Sequence, residues 1–330
     1  MNIAIVIDAR LPVTLYGGTE RVAYGLGKAL ARMGHNVTFL CRAGSQSSFA
    51  RIIPYDPSRT VAAQLPPDID VVHFNNTTDC RDLDKPYVVT LHGNGMQPGH
   101  IDRNSIFVSA DHAARYGCDS YVHNGLDWDD YGTPDLTRRR DRVHFLGNAA
   151  WRVKNLKGAI AVARRAGIRL DVLGGHRLNL KMGLRFTPYP SIRFHGMVDN
   201  EAKRHYIERS RGLLFPVTWH EPFGLAVIES LYFGAPVFAT PYGSLPELVM
   251  PADSVNAGYL STSADAMAAD VSHGRTIPPR VCHEYAVEMF NSAVMARAYL
   301  DKYETVLNGR ALISDFSPVT NPSPRNLPWG

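Results

Sequence analysis

Two α/β domains, each a parallel sheet with helices on both faces, are the fold this chain predicts. Three observations carry that expectation. Apolar runs of strand length alternate along the chain with stretches of helical apolar spacing. The alternation stops at a polar segment, Asn124 to Arg142, that holds Gly125, Gly132, Pro134 and an arginine run, and then starts again. A length of 330 residues exceeds what one core holds, since single cores stop growing at about 250–300 residues.

Asn2–Asp8 is a continuous apolar run of the kind buried in a parallel sheet. Thr19–Met33 has Val22, Leu26, Ala29, Leu30 and Met33 on one helical face, and Gly34 is placed to end it. Strands follow at Asn36–Cys41, Asp70–Phe74, Tyr87–Leu91, Ser105–Ser109 and Tyr121–His123. After the break, which divides a first domain of residues 1–135 from a second of 136–295, come strand Val143–Leu146, helix Leu156–Ala166 and strand Arg169–Leu173. Strand Ser191–His195, helix Glu201–Ser210, strand Gly212–Val217, helix Leu225–Phe233 and strand Ala235–Ala239 complete the series. Tyr285–Leu307 reads as one long helix with Val287, Phe290, Val294 and Ala298 along a stripe, and the proline-bearing tail from Ala311 reads as extended.

Hydrophobic content of 45% and charged content of 20% are ordinary for a globular protein. No run of about 18 apolar residues is present, and the N-terminus lacks the basic region of a signal peptide, so a cytoplasmic location is expected. Cys41, Cys80, Cys118 and Cys282 are far apart and form no CxxC pair, which fits free thiols in a reducing compartment. A net charge of +4 is too small to argue for nucleic acid. The run Arg138-Arg139-Arg140-Asp141-Arg142 reads as a solvated linker, with a lipid-headgroup or acceptor contact as the sharper alternative.

In open parallel sheets, ligands bind outside the carboxyl ends of the strands. The richest such loop is Glu221-Pro222-Phe223-Gly224-Leu225-Ala226-Val227-Ile228-Glu229. Pro222 suits a first helical turn, and Gly224 permits close backbone approach. The free N–H groups of the helix end suit a diphosphate, with Glu229 placed for an attached ribose and Glu221 on the side of a transferred group. Gly17 and Gly18 open a helix after the first strand and suit a phosphate or sugar, without the full GxGxxG pattern. His92 ends a strand and precedes Gly93, Gly95 and Gly99. It is placed to touch a substrate; a metal role with His100 is not expected. Gly147 to Gly158 holds Asn148, Arg152, Lys154 and Lys157, and its cations suit a diphosphate leaving group. Asp68-Ile69-Asp70 precedes a strand instead of following one, and reads as a turn with solvated carboxylates.

With these residues in hand, the chain resembles a retaining glycosyltransferase of the GT-B fold, family 4, over nearly its whole length. The resemblance rests on the stretch from Phe194 through Glu247, above all Leu214 through Leu225, Gly234-Ala235-Pro236-Val237 and Gly243 through Leu248, with Gly17 through Arg21, Asn124 through Asp127 and Tyr299 through Tyr303 in support. It implies two Rossmann-like domains facing a central cleft. The first is the acceptor side and the second binds the nucleotide-sugar. The C-terminal helix and tail, about 296–330, cross back onto the first domain. Carried over by position, Glu229 would bind the ribose hydroxyls and Glu221 would face the donor sugar. Phe223, Gly224 and Leu225 would line sugar and phosphates through their backbone. Lys154 matches the family's phosphate lysine, His92 matches its histidine near the sugar and the leaving phosphate, and Met197 and Val198 sit where the family holds the base. One departure is Asn148, where the family usually has arginine; Arg152 is expected to supply the charge.

The implied activity is transfer of a hexose from a nucleotide-sugar, UDP-hexose favoured, to an acceptor hydroxyl, with retention and with neither metal nor cofactor. The acceptor is left open among a lipid-linked saccharide, another sugar and a small molecule, as are peripheral membrane contact and oligomeric state. A non-catalytic nucleotide-sugar binder and a nucleotide-sugar epimerase are the alternatives.

Overall fold

The computed structural model describes residues 1–13, 17–75, 83–96, 101–180, 184–252, 255–273, 277–314, 324 and 326–330. Tyr16, Cys80, Gly99, His100 and half of the proline-bearing tail lie outside them. The chain divides into two compact units, Met1–Asp127 with Phe290–Pro322, and Trp128–Met289 with Ser323–Gly330.

In the first unit, β1 (Asn2–Ile7) leads into α1 (Gly18–Arg32), followed by β2 (Asn36–Cys41), β3 (Arg51–Pro54), β4 (Val71–Asn75), β5 (Tyr87–Leu91), β6 (Ser105–Phe107) and α2 (Ala110–Arg115). The strands form one parallel sheet in the order β3-β2-β1-β4-β5-β6. Ile3 through Ile7 are buried to 5% exposure or less, as a run covered on both faces requires. α1 seats Val22, Leu26 and Leu30 inward, and at Gly27 a methyl would stand 2.4 Å from the Phe39 ring, so only glycine lets this helix lie so close to β2. The expected strand Tyr121–His123 is reduced to a single bridge between Tyr121 and Phe107.

The second unit repeats the pattern. Its elements are β7 (Arg142–Leu146), α3 (Leu156–Arg165), β8 (Arg169–Leu173), the antiparallel pair β9 (Leu178–Asn179) and β10 (Arg185–Phe186), β11 (Ile192–Phe194), α4 (Asn200–Ile207), β12 (Ser210–Phe215), α5 (Leu225–Tyr232), β13 (Val237–Ala239), α6 (Leu245–Val249), β14 (Gly258–Leu260), α7 (Ala264–Ser272) and α8 (Pro279–Met289). The main sheet is parallel in the order β11-β8-β7-β12-β13-β14, the same relative order as the first. α3 and α7 cover one face through Leu156, Ala159, Ala163, Met267 and Val271, which share a core with Phe145, Val172 and Leu214.

Two expectations about the C-terminus are corrected. The stretch expected as one helix, Tyr285–Leu307, is two, α8 and then α9 (Ser292–Leu307). Asn291 ends the continuity: its side chain accepts from Val294 N–H at 2.8 Å as an N-cap, while Leu126 bonds Phe290 and Ser292 through the backbone. The periodic stripe of apolar residues runs across this break and hides it. α9 belongs to the first unit, where Tyr299 and Tyr303 are buried against β5 and β4. The last residues belong to the second unit instead of the first: Leu327 N–H donates to Thr218 at 2.8 Å, the Tyr242 hydroxyl donates to the Pro328 carbonyl at 2.6 Å, and Trp329 packs on the second core. The division falls at Asp127/Trp128, ahead of the expected 135/136, because Trp128 stacks on Tyr232 at 4.3 Å and so joins the second core.

Candidate active site

In the second unit the loops at the carboxyl ends of β7, β8 and β11 are welded together through glycines. Gly147 N–H donates to Leu173, Ala149 N–H to Gly174, and Gly196 N–H to Gly175. A methyl on Gly174 would stand 2.1 Å from the Gly147 carbonyl oxygen, and one on Gly175 2.4 Å from Ala149 Cβ. The loops carrying Asn148, Lys154, Met197 and Val198 are therefore anchored to one another at their roots.

Lys154 sits in a 3-10 turn, Arg152–Lys154, that follows β7. Asn155 closes the turn at φ 51°, accepts from Gly158 N–H and donates to the Pro216 carbonyl, which ties the turn to the end of β12. The Lys154 ammonium thereby reaches both oxygens of Glu221, at 2.9 and 2.7 Å. The Trp219 indole N–H donates to the same carboxylate at 2.8 Å, and the ammonium lies 5.1 Å from the ring centroids of both Phe215 and Trp219. Glu221 is 6% exposed, so its charge is held by one cation and one neutral donor in a largely dry setting.

The backbone around Glu221 is equally constrained. Ser244 N–H donates to the Glu221 carbonyl, the Ser244 hydroxyl to the Phe223 carbonyl, and Gly243 N–H to His220 Nδ1. α5 starts at Leu225 with Gly224 as N-cap at φ 98° and no side-chain cap. Pro222 consequently lies in the turn before the helix and not in its first turn, as expected from the sequence. The N–H groups of Leu225 and Ala226 have no acceptor within the helix, and both residues are partly exposed. A cation, a carboxylate and an uncapped helix start thus share one corner, the chemistry that receives a phosphate and holds the group attached to it.

Glu229 lies further along α5, 6% exposed, and accepts from the Tyr131 hydroxyl at 2.7 Å and from Lys203 Nζ at 2.5 Å. Neither donor was singled out from the sequence. Lys203 lies on a helix rich in charged residues, and its burial at 7% exposure is legible only once α4 is packed beside the Trp128–Tyr131 turn. Asn148 turns its side-chain oxygen onto Ala150 N–H at 3.0 Å. Arg152, Trp151 and Met197 are exposed, and Val198 is half-buried.

In the first unit, Gly17 precedes α1 at φ 154° without a side-chain cap, and a methyl there would meet Glu20 Oε2 at 2.9 Å. Gly18 is the first residue of α1. His92 follows β5, half-buried, with Nε2 2.9 Å from Asn75 Oδ1 at the end of β4. Burial pushes its pKa down to about 4, so the ring is neutral near pH 7. The Asp70 carboxylate accepts from Asn2 N–H at 2.7 Å. The basic run is largely structural: Arg138 pairs with Glu208, Arg140 donates to the Ile207, Ser210 and Phe233 carbonyls, and Arg142 pairs with Asp141. Among the described residues no helix is long and apolar enough to cross a membrane.

Comparison with known proteins bears on each unit. Residues 16–129 match the sequence model of Glycosyltransferase Family 4, and residues 136–273 that of Glycosyl transferases group 1. An uncharacterised 41.2 kDa protein in the cps region of Klebsiella pneumoniae is 28% identical over 118 residues, 35% of this chain and 33% of that protein, so the match spans about a third of its length. Among solved structures, AviGT4, a glycosyltransferase involved in avilamycin A biosynthesis, aligns with a TM-score of 0.74 at 20% identity over 93% of this chain and 98% of its own. HepE of Anabaena, in complex with UDP-glucose, aligns with a TM-score of 0.62 at 14% identity over 92% of this chain and 100% of its own. The fold is GT-B, and each of the two units matches a sequence model of glycosyltransferases.

Proposed function

We propose that the chain is a glycosyltransferase that moves a hexose from a nucleotide-sugar, UDP-hexose favoured, to an acceptor hydroxyl, with retention and without a metal. The observation that carries the reading is Lys154 against Glu221 beside the uncapped start of α5. In the reaction the bond between the anomeric carbon and the phosphate oxygen breaks and its electron pair stays on the phosphate, while the acceptor oxygen bonds the anomeric carbon and its hydroxyl proton passes to the departing phosphate oxygen. Lys154, the amide groups of Leu225 and Ala226, and Arg152 from the same turn as Lys154 neutralise that charge, which is the role of a preorganised cationic site. Glu221 faces the sugar as charge develops on it. Glu229 holds the ribose, and Met197 and Val198 flank the base. Retention, the roles of His92, Gly17, Gly18 and Phe223, and the second unit as the donor domain rest on the family resemblance. UDP-hexose is favoured by the UDP-glucose complex of HepE, which shares the fold. The acceptor is a sugar, lipid-linked saccharide or small molecule at the cytoplasmic side.

Thermal-shift measurement with UDP, GDP, ADP and dTDP tests this. The expected result is a stabilisation largest with UDP and abolished by Lys154→Ala. No stabilisation by any of the four would refute the donor site; a response to GDP or ADP alone would refute the UDP preference. The second reading, a nucleotide-sugar binder without turnover, is favoured by Asn148, which spends its side-chain oxygen within its own turn where a cation would serve the leaving group. NMR of UDP-glucose with candidate acceptors separates the two: release of UDP supports transfer.

A further inference from the structure

Both donors that reach the Glu229 carboxylate go to the same oxygen. The Tyr131 hydroxyl and the Lys203 ammonium converge on Oε1, at 2.7 and 2.5 Å. Oε2 receives a bond from no described residue, yet it is absent from the buried oxygens that lack a partner, so it keeps an opening to solvent. A carboxylate buried only for structure would satisfy both oxygens, because a dry, unmatched acceptor is costly. Here one oxygen is fixed and the other is kept open.

The fixing side is well built. Lys203 comes from the first turn of α4 and is 7% exposed, with its ammonium 5.6 Å from the Tyr131 ring centroid. Tyr131 packs edge-on against Trp128 at 5.4 Å, and Trp128 stacks on Tyr232 of α5. The clamp is therefore anchored to the helix that carries Glu229. α4 begins just after Met197 and Val198, and Glu229 lies on α5, whose start is assigned to the phosphates.

We infer that Lys203 and Tyr131 are positioning residues that lock Glu229 by Oε1 so that Oε2 accepts from a ribose hydroxyl, making the site selective for ribonucleotide over deoxyribonucleotide donors. The inference rests on the proposed nucleotide-sugar function. A charged oxygen left open for a hydroxyl penalises a ligand that lacks it, since that oxygen is then desolvated without a partner.

The test is calorimetric binding of UDP and of its 2′-deoxy and 3′-deoxy analogues to the wild type, Tyr131→Phe, Lys203→Met and Lys203→Arg. The wild type should bind UDP about tenfold more tightly than at least one analogue, as expected for a hydrogen bond to a charged group. Tyr131→Phe should reduce that ratio to about threefold and raise the donor KM with kcat unchanged. Lys203→Met should bring the ratio near one, and Lys203→Arg should restore most of it. Variants that bind UDP and keep the full wild-type ratio would overturn the inference while leaving the proposed function standing. Wild type that binds UDP and both analogues equally would also overturn it. Wild type that binds no UDP would instead strike the donor reading itself. Should Lys203→Met fail to fold, Tyr131→Phe still decides, because it removes one hydroxyl and keeps the ring.

Discussion

Lys154 donates to both oxygens of Glu221, at 2.9 and 2.7 Å, with side-chain exposures of 13% and 7%. An ammonium has three protons, so two bonds to the carboxylate leave one for a phosphate, and under the proposed function the pair would aim the ammonium instead of tying it down.

Lys154→Met is therefore expected to lower transfer at least about a hundredfold, the usual cost of removing a preorganised charge that acts on the leaving group. It should also lower stability by about 3 kcal/mol, because Glu221 keeps only the Trp219 N–H in a nearly dry setting. Trp219→Phe keeps the cation and loses one neutral donor, and should cost about 1 kcal/mol. Steady-state kinetics and urea denaturation measure both. Equal effects from the two variants would contradict the assignment of Lys154 as the charge that matters.

Gly243 tests the backbone beneath the same carboxylate. A methyl there would lie 2.3 Å from the Glu221 carbonyl oxygen and 2.4 Å from its nitrogen, and φ is +68°. Relief requires the 220–221 and 243 segments to move apart, because both close contacts are backbone. Gly243→Ala should lose activity by more than tenfold and stability by about 2 kcal/mol or more. Gly93→Ala, with nothing within 4 Å of the added methyl, should change stability by less than about 0.5 kcal/mol. A Gly243→Ala enzyme of wild-type activity would show that Glu221 tolerates displacement.

The strands were legible in the sequence wherever burial on both faces forces an uninterrupted apolar run. Asn36–Cys41, Tyr87–Leu91 and Arg169–Leu173 are read to the residue. Edge elements carry no such run. β3 (Arg51–Pro54) has exposed or half-buried residues throughout, and β9 and β10 have two residues each, so periodicity has nothing to report. In the candidate site, Glu221, Gly224 and Lys154 are visible because loop glycines and charges beside strand ends are unusual. Lys203 and Tyr131 are not, since a lysine in a helix normally faces water and only the packing of α4 turns this one inward. Asn75 escapes for another reason: it is the last residue of β4, and its bond to His92 depends on the β4–β5 register.

Buried imidazoles predict acid sensitivity. His73 lies between the Tyr303 and Thr90 hydroxyls, and His144 between Ser210 and Ser230; burial pushes both pKa values down to about 3. His112, against Phe107, is pushed to about 3, and His92 to about 4. In the unfolded chain these groups bind protons near pH 6.5. Between pH 6.5 and about 4 the unfolded state therefore binds more protons, so stability falls as pH falls, and the loss stops accumulating below the folded pKa values. From pH 6.5 to 5 each ring should remove about 1–2 kcal/mol. That window lies above the range where Asp8 and Asp56, whose pKa values are lowered by Arg42 and Ser58 hydrogen bonds, begin to contribute. Urea unfolding at intervals from pH 7.5 to 4.5 gives the slope directly; a flat profile from pH 6.5 to 5 would show that the rings take up protons in the native state.

Arg140 and Arg139 separate a structural from a membrane role for the basic run. The Arg140 guanidinium donates to three backbone carbonyls, Ile207 at 3.2 Å, Ser210 at 2.8 Å and Phe233 at 2.9 Å. These close the end of α4, the start of β12 and the end of α5, and burial lowers its pKa. Arg140→Met leaves those carbonyls without a donor and should cost about 2–4 kcal/mol. Arg139 is exposed, and Arg139→Ser should change stability by less than about 0.5 kcal/mol. Because the neighbouring cations are held by Glu208, Asp141 and backbone carbonyls, Arg139→Ser should also leave co-sedimentation with phosphatidylserine vesicles unchanged. Loss of vesicle binding in Arg139→Ser with an unaltered urea midpoint would return the run to the membrane. A large drop in the midpoint for Arg140→Met alone would place it in the interior framework that holds α4 against α5, and with it the Lys203–Glu229 clamp.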